Sequence, residues 1–70
     1  MSRQEELHEK IREVVDEGNK PSAAHLSREL GWPQNDVHRC LNILERDGKV
    51  FTYTKEALGT QMRLAGVKRE

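Results

Sequence analysis

The sequence predicts an α+β domain of winged helix-turn-helix type, three helices followed by a C-terminal β-hairpin wing. Three observations carry that expectation. Apolar residues recur at helical spacing in three successive segments; Gly18, Gly31 and the Trp32-Pro33 pair separate them by short turns; and a run dense in β-branched and aromatic residues follows the third segment.

From Arg3 to Glu17, Leu7, Ile11, Val14 and Val15 follow i, i+4, i+7 and i+8, one stripe of an amphipathic helix, and Gly18 supplies its stop. Asn19, Lys20 and Pro21 interrupt the pattern. Ser22 then caps a shorter helix whose apolar residues are Ala23, Ala24, Leu26 and Leu30, closed by Gly31. Pro33 suits the first turn of a third helix, since its missing N–H would have no partner there, and Trp32 is held extended just outside it. That helix is expected from Pro33 to Arg46, with Val37, Cys40, Leu41 and Leu44 facing the core and Ile43 at the edge of the stripe. Asp47 and Gly48 turn the chain into a strand from Lys49 to Thr54. A loop from Lys55 to Gly59 and a returning strand from Thr60 to Ala65 complete the hairpin, with Met62 and Leu64 expected on the face that meets Val50 and Arg63 pointing away.

Seventy residues make one domain, 1–70, with one core and a tail, 67–70, expected to fray. No apolar run approaches the roughly 20 residues a membrane span needs, and the mixed charges between Ser2 and Lys10 are unlike a targeting peptide. With a single cysteine, Cys40, no disulfide within the chain is available, which fits a cytoplasmic or nuclear setting. Twelve basic and twelve acidic residues cancel, so attraction to a polyanion depends on where the charges lie.

Opposite the apolar stripe of the third helix, Asn35, His38, Arg39, Asn42 and Arg46 follow i, i+3, i+4, i+7 and i+11 and form one polar stripe. From Asn35 to Asp47 the charges are two positive (Arg39, Arg46) against three negative (Asp36, Glu45, Asp47), whereas Lys49, Lys55 and Arg63 outweigh Glu56 on the hairpin. His38 serves on this stripe either as a donor and acceptor toward phosphate or as a surface histidine with no role. His8 and His25 read as structural or solvated. His38 and Cys40, two apart, point to different sides of a helix, so no metal site is expected, and Cys40 reads as a small core residue. No activated nucleophile with an oriented base is visible; a binding module without cofactor is expected rather than an enzyme. Trp32 is expected to plug the junction of helices two and three, while Tyr53 either stacks on a base or sugar, covers Phe51 or joins an apolar patch that binds protein.

Three stretches, Ser22-Ala23-Ala24-His25-Leu26-Ser27-Arg28-Glu29-Leu30-Gly31, Trp32-Pro33-Gln34-Asn35-Asp36-Val37-His38-Arg39-Cys40-Leu41-Asn42 and Gly48-Lys49-Val50, together resemble the Z-alpha domains. These are winged-helix modules that bind left-handed Z-form DNA and RNA; they occur in double-stranded RNA adenosine deaminase, in an innate-immune nucleic-acid sensor, in a fish antiviral kinase and in poxvirus and fish herpesvirus proteins. The resemblance implies that His38 stands at the family's Asn position, Arg39 at its phosphate-contacting Arg and Asn42 at its Tyr. Gln34 and Asn35 take positions often occupied by Lys, and Met62, preceded by Gln61 and without prolines, stands near the wing Trp. Asn42 has no π-face to pack on a syn base, so phosphate contacts carry over better than shape reading. The contact set expected on this basis is Gln34, Asn35, His38, Arg39, Asn42, Arg46, Lys49, Tyr53, Thr60, Met62 and Arg63, with double-stranded Z-form DNA or RNA as partner.

Two other readings stand beside it. Near-zero net charge and the absent aromatic readers point to a diverged copy used for protein association, as a homodimer or against a neighbouring domain of a longer protein. A domain that reads B-form DNA in the major groove fits the same fold.

Overall fold

A computed structural model describes residues 2–68. Their order is α1 (Arg3–Asp16), α2 (Ala23–Leu30), α3 (Gln34–Arg46), β1 (Val50–Ala57) and β2 (Thr60–Val67). Three helices followed by an antiparallel hairpin form the α+β topology of a winged helix.

Local chemistry sets each helix end. Ser2 and Ser22 cap α1 and α2, each hydroxyl accepting the N–H three residues on, from Glu5 at 3.2 Å and from His25 at 3.0 Å. Gly18 and Gly48 close α1 and α3 in the left-handed region, where a side chain is strained. The residues beyond them donate back, Asn19 to the Val14 carbonyl and Lys49 to that of Leu44, so the terminal carbonyls are used. Pro33 differs from expectation by one position. It is the N-cap of α3, with ψ 145°, and its carbonyl accepts from Asp36 and Val37, so it precedes the first helical turn. Ser27 holds the α2–α3 turn: its carbonyl accepts both the Gly31 and the Trp32 N–H, and its hydroxyl donates to the Trp32 carbonyl.

All three helices and the hairpin supply the core. Leu7 and Ile11 of α1, Ala23 and Leu26 of α2, Val37, Cys40, Leu41 and Leu44 of α3, and Val50 and Ala65 of the hairpin form one buried cluster, with Val15, Leu30, Trp32 and Val67 packed on its margin. Burying each of the larger side chains contributes about 1.5–3 kcal/mol. Trp32 is the expected plug, and Arg3 clamps it from above. The Arg3 guanidinium lies 5.2 Å from the ring centroid and 2.7 Å from the Asp36 carboxylate, tying the start of α1 over the α2–α3 turn. Ala24, counted with the apolar face of α2, is exposed.

The hairpin departs most from expectation. Both strands run eight residues, and the Lys55–Gly59 loop reduces to Leu58 and Gly59, with φ of 52° and 76°. Positive φ at both central residues is the geometry of a tight two-residue hairpin turn, whose twist matches that of the strands. This turn sets the pairing Ala57 to Thr60, and the register runs from there to Val50 opposite Val67. Arg63 therefore pairs with Thr54, on the same face as Val50, Thr52 and Ala65, while Met62 and Leu64 share the opposite face with Phe51 and Tyr53. The expected assignment of Met62, Leu64 and Arg63 to faces is thereby reversed. Val67, expected to begin a frayed tail, is paired in β2, and the Lys68 N–H donates to the Lys49 carbonyl; residues 69 and 70 lie outside the described residues. The α1–α2 linker joins the hairpin as well. The Ala65 N–H donates to the Pro21 carbonyl at 2.9 Å and Ser22 bridges Leu64, which secures β2 on both edges.

Candidate nucleic-acid interface

On α3 the spacing that buries Val37, Cys40, Leu41 and Leu44 turns Gln34, Asn35, Arg39, Asn42 and Arg46 to solvent, with His38 half-buried beside them. The hairpin lies along this helix because Val50 and Ala65 share its core. Between α3, the start of α2 and the wing runs an open groove of about 490 Å³, whose lining includes Gln34, His38, Thr54, Thr60, Met62 and Arg63. Five of the eleven expected contact residues thus meet in one groove, with Asn35, Arg39, Asn42 and Arg46 continuing along the helix.

Arg63 organises this face. From the inner side of β2 its guanidinium crosses to α3, 3.2 Å from His38 Nδ1 and 2.8 Å from Asn42 Oδ1, where it donates; it also reaches the Thr52 hydroxyl at 3.4 Å and lies 3.9 Å from Glu45. A guanidinium has only donors, so Nδ1 of His38 accepts and the ring proton sits on Nε2. The Glu45 carboxylate in turn accepts from the Thr52 hydroxyl at 2.8 Å and from the Thr52 N–H at 3.3 Å. Arg63, His38, Asn42, Glu45 and Thr52 form one network that fastens the wing to α3. Glu45 and Thr52 were absent from the expected set. Glu45 stands at i+7 from His38 and i+3 from Asn42, a spacing that places it on their side of the helix.

Two expected members lie elsewhere. Tyr53, on the face of the hairpin turned from Arg63, stacks on Phe51 with ring centroids 5.9 Å apart and planes inclined by 24°. Packing on Phe51 is one of the roles expected of it. Lys49 sits at the base of the hairpin, in a second groove with His8 and Arg12 of α1. His8 is half-buried there, and its pKa is lowered first by burial and then by the charges of Arg12 and Lys49, with Glu9 opposing. His25 lies 3.8 Å from Glu29 on α2. Burial raises the pKa of Cys40, which keeps its thiol protonated at the edge of the core.

Charge on the α3 face is sparse. Arg46 lies 3.7 Å from Asp47 and Arg63 is held by the network, while Arg39 is exposed. Among the described residues no helix is long and apolar enough to cross a membrane, and no three His, Cys, Asp or Glu side chains converge as a metal site would need.

The helix order and the wing beside α3 define the class of the molecule as a winged helix. Comparison of the chain with protein-family models, with curated proteins and with solved structures finds no match.

Proposed function

We propose that this domain is a nucleic-acid-binding module without catalytic activity, and that it grips the backbone of left-handed double-stranded DNA or RNA with α3 and the wing. The observation that carries the reading is the outward polar face of α3, with Arg39 and Asn42 exposed, set beside a groove lined by His38 and walled by the wing. Donors of this kind position a protein on phosphates without reading sequence. The resemblance to Z-alpha domains supplies the left-handed form. Circular dichroism of an alternating CG duplex titrated with the domain tests it: inversion of the long-wavelength bands supports the reading, and an unchanged spectrum with no mobility shift removes it. Arg39→Ala is expected to weaken binding and to lower the slope of log K against log salt by about 0.9 for the lost phosphate contact, measured by anisotropy at several salt concentrations.

A second reading, protein association through the wing, draws on a separate observation. Phe51 is 47% exposed and Met62 36%, and Leu58 at the turn is wholly exposed, so apolar surface continues along the outer side of the hairpin. Sedimentation tests it: a monomer at high concentration that still binds duplex excludes self-association.

A further inference from the structure

The base of the hairpin gathers positive charge that the fold itself does not use. The pairing of β1 with β2 continues one step past Val50 and Val67, through the Lys68 N–H to Lys49 carbonyl bond of 3.2 Å, so Lys49 and Lys68 stand directly opposite each other. Cross-strand partners hold their Cβ atoms about 5 Å apart, and like charges placed so repel. On the facing helix His8 and Arg12 stand at i and i+4, one above the other. These four side chains and Asp16 line an open groove of about 580 Å³ that also includes Gly48. Three cations meet one carboxylate there, in a chain whose net charge is zero. Elsewhere ion pairs take up Arg3, Lys10, Arg46 and Arg63. The His8 pKa is lowered first by burial and then by the Arg12 and Lys49 charges, against Glu9.

We propose that this groove is a second binding site, for a phosphate group, held by Lys49, Lys68 and Arg12. A guanidinium offers paired donors that match two phosphate oxygens, the two ammonium groups supply point charge, and His8 adds a ring N–H. An oxyanion seated between Lys49 and Lys68 converts their repulsion into two attractions. The site is distinct from the groove beside α3, with which its lining shares no residue. The phosphate belongs either to a nucleic-acid backbone or to a free phosphate compound, and the test separates the two.

The test is a titration of the full chain with inorganic phosphate, ionic strength held constant with chloride, followed by amide resonances and by thermal unfolding. The expected result is saturable shifts at Gly48, Lys49 and Lys68 with Asn35 and Arg39 unmoved, and an unfolding midpoint that rises with phosphate as linkage requires. Replacing both lysines, Lys49→Gln with Lys68→Gln, should weaken phosphate binding roughly tenfold or more without lowering the midpoint in chloride alone, because it removes a like-charge pair. Arg12→Gln is the independent variant, with the same expected loss. A short duplex that shifts the same three amides assigns the phosphate to nucleic acid; shifts with phosphate but not duplex assign it to a free compound. The proposal is overturned if neither ligand moves these amides, or if the double variant responds as the unaltered chain does. The readout lies at the hairpin base, so failure here and failure of the α3 reading are told apart residue by residue.

Discussion

His8 and Arg63 both show how a residue's neighbours, rather than its type, set what it does. In the native chain His8 resists protonation because it is half-buried beside Arg12 and Lys49, whereas in the unfolded chain it titrates near its ordinary value of about 6.5. Between the folded and unfolded values the unfolded chain binds the extra proton, so its contribution to stability is whole above about pH 6.5 and is lost as the solution is acidified through the folded value. Urea midpoints at pH 7.5 and pH 5.0 should differ less in His8→Gln than in the unaltered chain; an equal difference would assign the acid sensitivity to other groups. Arg63 carries the second prediction. Arg63→Met keeps an apolar stem in place of the arginine's and removes every donor, leaving His38 Nδ1 and Asn42 Oδ1 to water and the Glu45 carboxylate without its cation. Because the guanidinium is partly exposed, the expected loss is modest, about 1 kcal/mol. Faster amide exchange confined to Thr52–Thr54 and the facing part of β2 would show that the network holds the wing in place.

At the scale of elements, the turn of the hairpin is the least comfortable piece. Leu58 adopts the left-handed region at the tip of the wing, with its side chain wholly in solvent, where it gains nothing from burial. Asn tolerates that backbone far better than Leu and, before Gly, favours this turn. Leu58→Asn is therefore expected to stabilise the domain by about 1 kcal/mol, which for a domain of this size raises the thermal midpoint by roughly 4–8 °C. An unchanged midpoint would mean that the exposed leucine is stabilised by a contact in solution. The same turn explains what was legible in advance. Several helix ends were readable because the Ser22 cap and Gly18, Gly31 and Gly48 act locally, each through its own backbone or hydroxyl. The turn was not, because Leu58-Gly59 lacks the usual first residue. A five-residue loop in its place left the register free, and with it the side on which Arg63 lies.

For the whole molecule, stability rests on one core shared by every element, with no disulfide to support it. Leu41, fully buried on α3 within that shared cluster, is a position where a cavity should be costly. Leu41→Ala is expected to remove about 2–5 kcal/mol, much of the total stability of a domain this small. Loss of the helical circular dichroism at lower urea, together with dispersal of the α3 and hairpin resonances, is the expected result; a shift under 1 kcal/mol would mean the core collapses to fill the void. The sequence by itself determined the three helices, the Ser22 cap of α2, the glycine stops, the buried face of α3 and the presence of a hairpin, because helical periodicity, capping and β-branched runs act between residues close along the chain. Only the tertiary structure decided that Arg63 lies across His38 and Asn42, that Glu45 belongs with them, and that Lys49 and Lys68 join Arg12 and His8. Those are meetings between residues far apart in sequence, and they depend on a strand register in which a single step turns every side chain to the other face.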